Sequence, residues 1–120
     1  MDYPYEAPDR QSAFFAAFDR RIRQSLKALV NEAMIEEHRA KPLGQHSDAL
    51  ERVLNYFRRS SMAGKLAIYR ADPRIESYGL VRLSGCREVP SEQVPGIAFA
   101  SLNEAYHAVF LSRIEELMAD

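Results

Sequence analysis

The repeat of apolar residues changes twice along this chain, at Gly64 and again at Ser101, and that double switch limits the fold more than any composition figure. Before Gly64, apolar positions recur every three or four residues, which is the repeat of one helix face. After it come short runs of β-formers, Lys65-Leu66-Ala67-Ile68-Tyr69-Arg70 and Tyr78-Gly79-Leu80-Val81-Arg82-Leu83, separated by a turn at Asp72-Pro73. An irregular loop follows from Arg87 to Gly96, with Pro90 and Pro95, and Ile97-Ala98-Phe99 is expected to add a short third strand. From Ser101 the helical repeat returns. Ser101-Leu102-Asn103-Glu104 has capping-box spacing, and Leu102, Ala105, Tyr106, Val109, Phe110, Ile114 and Leu117 fall on one face of a helix over 102–118. Helices, then strands, then a helix imply an α+β fold with a small antiparallel sheet of two or three strands and the C-terminal helix packed on it.

The front of the chain supplies the remaining layer. Pro4 and Pro8 disfavour helix at the residues before them, so 1–8 is expected as an extended arm. A helix from Asp9 to Arg39 carries Phe15, Phe18, Ile22, Leu26, Leu29, Ala33 and Met34, spaced by three or four except at the last step. Pro42 and Gly44 end it. A second helix starts near Ser47, with Asp48 and Glu51 at capping-box spacing and Leu50, Val53, Leu54 and Phe57 as its stripe; Ser60, Ser61 and Gly64 close it. The expectation is one domain over 1–120: arm 1–8, helical hairpin 9–61, strands and loop 65–99, C-terminal helix 102–118.

The 120 residues include 47% hydrophobic and 28% charged, ordinary for a globular chain. The net charge is −1, from 16 basic and 17 acidic residues, which lacks the electrostatic footprint of a dedicated nucleic-acid binder. Cys86 is the single cysteine, so no intrachain disulfide forms and a reducing cytoplasm is expected. No apolar run nears the roughly 20 residues that span a bilayer, and the acidic start lacks a signal-peptide core, so neither membrane nor export is expected.

Candidate chemistry is thin. Metal ligands would come from His38, His46, His107, Cys86 and the carboxylates, but neither C-x-x-C nor H-E-x-x-H occurs. Glu104 and His107 have the Glu-x-x-His spacing of di-iron bundles; such a site needs a second copy of the motif and two more glutamates, and Glu104 is already explained as the cap partner of Ser101. Cys86 beside Arg87 is a nucleophile only if the fold brings His107 or His46 to it as a base. No glycine-rich phosphate loop is present. No catalytic, cofactor-binding or metal residue is therefore assigned. Lys65, Arg70, Arg74, Arg82 and Arg87, with Tyr69 and Tyr78, concentrate in the strand region, so the alternative is a small DNA-binding regulator using a basic strand face. Glu76, Glu88 and Glu92 oppose it. Partner binding has more support: Phe14, Phe15 and Phe18 cluster at the start of the first helix, and Tyr3 and Tyr5 sit in the arm, residue types enriched at interface anchors. The last helix's outer side is a further expected contact.

Several segments together resemble a known family: Glu36-Glu37-His38 with Pro42-Leu43-Gly44, Asn55-Tyr56-Phe57-Arg58, Gly64-Lys65 with Ile68-Tyr69, and His107-Ala108-Val109-Phe110-Leu111-Ser112-Arg113-Ile114. In that order, over about Glu36 to Leu117, they are similar to the small subunit of bacterial N,N-dimethylformamidase. The resemblance implies a light subunit of an amidohydrolase that splits N,N-dimethylformamide into dimethylamine and formate. It also implies a large catalytic partner subunit holding iron on tyrosine and carboxylate ligands, a hetero-oligomer, and no catalytic residue or cofactor in this chain.

Overall fold

The computed structural model describes the backbone of residues 3–59, 64–70 and 72–119, with side chains from residue 13 onward. The elements are α1 (Tyr3–Lys27), α2 (Glu32–Ala40), α3 (Asp48–Arg58), β1 (Leu66–Arg70), β2 (Tyr78–Arg82), β3 (Glu92–Gln93) and α4 (Leu102–Met118). The fold is α+β, with helices leading, an antiparallel sheet in the order β1-β2-β3, and α4 packed on the sheet. Two compact units are distinguished within the chain, Met1–Val30 and Asn31–Asp120.

The division follows from a helix break. The long helix expected over Asp9–Arg39 is two helices, because Asn31 takes an extended backbone and its side-chain oxygen accepts from the Met34 N–H at 2.8 Å. Asparagine is among the strongest N-caps, and Glu32 in the new first turn adds favourable charge there. The stripe already faltered at this point, where Ala33 and Met34 broke the three-and-four spacing. The extended arm is also corrected: helix begins at Tyr3. Pro4 lies in the first turn, where a missing N–H leaves nothing unpaired. The side chains of Tyr3 and Tyr5 lie outside the described residues, as do Ser60 and Ser61.

In the Asn31–Asp120 unit, α3 begins by a device the sequence did not suggest. Ser47 is the N-cap and its hydroxyl accepts from Leu50 N–H at 3.3 Å. The acid that completes the cap is Glu37 of α2, which accepts from the Ser47 N–H at 2.6 Å and from its hydroxyl at 2.7 Å. Glu51, expected in a capping box with Asp48, instead faces His46 and Arg58.

β1 and β2 pair with Ile68 opposite Leu80 and Tyr69 opposite Gly79. A Cβ at position 79 would stand 2.6 Å from the Tyr69 ring, so glycine is what lets that ring cross the neighbouring strand. The third strand is Glu92–Gln93, opposite Arg82 and Val81; Phe99, expected inside a strand, makes only a single bridge to Tyr78. Proline at 95 and a left-handed Gly96 interrupt the ladder between them.

α4 matches its expected bounds. Ser101 caps it through the Glu104 N–H, while the Glu104 carboxylate accepts from the Ala100 N–H, one residue earlier than a standard box. Ala105, Phe110, Ile114 and Leu117 are buried with Leu50, Val53, Phe57 and Leu80 in the core of this unit. Leu102 and Tyr106, expected on the same face, are each 37% exposed.

Candidate functional site

All three histidines of the chain gather where α2, the α2–α3 loop and α4 meet. α2 turns His38 inward until only 3% of it is exposed, the one polar residue fully buried among those described. Its ring lies flat on Phe110 of α4, with centroids 3.9 Å apart and planes 10° from parallel. Its Nδ1 is 3.0 Å from Nδ1 of His107, so one ring donates and the other accepts. Burial, then the neighbouring His107 and His46, push His38 down to about 4 from an ordinary 6.5. His107 is also lowered, by its own burial and by Arg39. The pair is thus a neutral polar tie between two helices. His46 stands 6.0 Å from His38, with Nε2 2.6 Å from the Lys41 carbonyl and Nδ1 3.2 Å from the Glu51 carboxylate.

Beside His38 a cavity of about 330 Å³ opens to the surface. One wall is a stripe of α4, Tyr106, Val109, Phe110 and Arg113, at i, i+3, i+4 and i+7. Leu54 and Phe57 of α3 line it as well, and so do Lys65 and the exposed Leu43 and Arg58, whose exposure marks the mouth. The Arg113 guanidinium is 5.4 Å from the centre of the Phe57 ring.

Other expected candidates are not brought together. Glu104 caps α4 while His107 faces His38, so the Glu-x-x-His pair does not converge. Cys86 is exposed in the loop after β2, its N–H donating to the Ser84 hydroxyl, and His46 and His107 are engaged elsewhere. Among the described residues no group of three histidine, cysteine or acidic side chains is placed to hold a metal. Nor does any described helix have the length and apolarity to cross a membrane.

The strand cations are dispersed. Pairing puts Leu66, Ile68 and Arg70 on one face with Arg82, Leu80 and Tyr78, and buried Leu80 marks that face as the covered one. Arg70 and Arg82 therefore flank a covered face from opposite ends. Arg70 donates to the Ile75 carbonyl and Arg82 to that of Gly64, while Arg74 pairs with Asp72. Phe14, Phe15 and Phe18 on α1 are exposed by 63%, 64% and 51%, with Phe14 and Phe18 stacked at 6.5 Å.

Sequence reasoning missed the histidine tie and the cavity. The one available signal was the α4 stripe, where Arg113 completes an otherwise apolar row.

A family model for the N,N-dimethylformamidase alpha subunit matches residues 13–120. The N,N-dimethylformamidase alpha subunit of an Alcaligenes species is 34% identical over 122 residues, covering 98% of this chain and 90% of that relative. The alpha subunit of the same enzyme from Paracoccus aminophilus is 34% identical over 119 residues, covering 95% and 82%.

Proposed function

This chain belongs to the N,N-dimethylformamidase alpha subunit family, and on that premise we propose that it is the small, non-catalytic subunit of an amidohydrolase that cleaves N,N-dimethylformamide to dimethylamine and formate. The relatives are matched over most of their own length, which supports a short chain as the typical form of this subunit. Iron belongs, in this reading, to a large partner subunit, and the assembly is cytoplasmic. The small subunit stabilises that partner and the hetero-oligomer by covering an apolar face of it.

The observation that carries the reading is the exposed phenylalanine row of α1. Three neighbouring aromatic rings in water are costly to leave uncovered, and aromatic residues are the common anchors of protein interfaces. The basic strand face needed by a DNA-binding regulator has no comparable support, since Arg70 and Arg82 flank a covered surface.

Co-purification from the native host tests the proposal. The expected result is a large iron-containing chain in fixed ratio, with amidase activity only in the complex. Hydrolysis of N,N-dimethylformamide by the purified 120-residue chain alone would overturn it.

A further inference from the structure

The residues lining the cavity beside His38 all belong to the Asn31–Asp120 unit. Its volume of about 330 Å³ is enough for one large side chain. The walls are apolar, from Leu54, Phe57, Val109 and Phe110, and among the described residues no carboxylate lines them.

Charge narrows the occupant. Arg58, Lys65 and Arg113 line the cavity. Each arginine has a glutamate outside the lining: Glu51 is 3.7 Å from Arg58 and Glu116 is 3.4 Å from Arg113. Lys65 donates to the Arg58 carbonyl at 3.4 Å, an uncharged partner. The field in the cavity is therefore that of one ammonium and two partly neutralised guanidiniums. It suits a single carboxylate better than a multiply charged phosphate.

The mouth narrows it further. Leu43 is 51% exposed and Tyr106 37%, both on the lining. A free small ligand seated on the apolar floor would leave these two in water, whereas a protein segment laid across the opening covers them. Buried aromatic and arginine side chains inside a ring of excluded water are the usual make-up of an interface centre.

We infer that this cavity receives an apolar side chain of the large partner subunit, with an adjoining Asp or Glu of that subunit meeting Lys65 and Arg58 at the mouth. The inference rests on the subunit role proposed above.

The test uses the full chain co-expressed with its large subunit. Leu43→Asp adds a charge at an exposed mouth position, Lys65→Glu reverses the attraction, and Val109→Trp fills the floor. Each is expected to weaken the complex by about tenfold or more, with the isolated variants melting as the parent does. A photo-crosslinking benzoyl-phenylalanine at position 43 is expected to capture a peptide of the large subunit with an acidic residue beside an apolar one. Parent-like affinity for all variants that keep the parent melting temperature overturns the inference and leaves the subunit role standing. So do crosslinks confined to this chain or to a second copy, or a small molecule retained by the purified complex at position 43. Failure of the unaltered chain to associate with the large subunit sinks both readings.

Discussion

Phenylalanine has opposite fates in the two units of this molecule. On α1, Phe14, Phe15 and Phe18 are more than half exposed, and Phe14 pairs with each of the other two rings. In the Asn31–Asp120 unit, Phe57 and Phe110 are 9% and 3% exposed, and Phe110 meets a buried histidine face to face. Both sets lie on helices at helical spacing. The spacing says that a stripe exists; whether a core lies opposite depends on which other elements pack on it, as happens within the Asn31–Asp120 unit, where α4 lies on the sheet.

The sharpest test of that contrast is a pair of truncations. Phe110→Ala is expected to cost about 3–5 kcal/mol in urea denaturation, since it opens a cavity and removes the surface His38 stacks on. Phe14→Ala is expected to stay within about 0.5 kcal/mol in the isolated chain. Equal losses would mean that the α1 row is part of a core after all.

Acid probes the buried side of the comparison next. Unfolded, His38 takes a proton near its ordinary 6.5; folded, it resists down to about 4. Between those values the unfolded chain binds the extra proton. Stability is therefore full above about pH 6.5, declines as pH falls through that window, and levels off below it. The loss from this one residue is at most about 3 kcal/mol. His107, shifted the same way, acts in the same direction, while Glu37, lowered by its bonds to Ser47, loses its own contribution further into acid. His38→Phe keeps a flat ring against Phe110 and is expected to flatten the pH profile between 4 and 6.5; an unchanged slope would remove His38 as its source.

Much of this second unit was legible in the residues. The period switch at Gly64 marked the strands, and Ser101 with Glu104 marked the start of α4, because caps and alternation are local properties of the chain. The break at Asn31 was visible only as a slip between Ala33 and Met34, too small a sign against the helical run on both sides. β3 was misplaced to Ile97–Phe99 since Glu92 and Gln93 are not β-formers; they pair because β2 offers an open edge there. The histidine tie could not be read at all. His38 and His107 are 69 positions apart, and only packing of α2 against α4 brings their rings together.

Smaller effects separate caps from surface charge. Ser47→Ala removes the oxygen facing Leu50 N–H and is expected to cost about 1 kcal/mol by thermal or urea unfolding. Arg39→Ala, which breaks an exposed bidentate pair with Glu36, is expected to leave the urea midpoint where it is in the parent chain.

The carboxylate of Glu37 reaching the backbone of Ser47 also couples the opening of two helices. The residue that caps the first turn of α3 is itself held by a carboxylate carried on α2, so the start of the later helix is tied to the earlier one. Amide protons near the start of α3 should then exchange with solvent no more slowly than those of α2, the two fraying and re-forming as one piece.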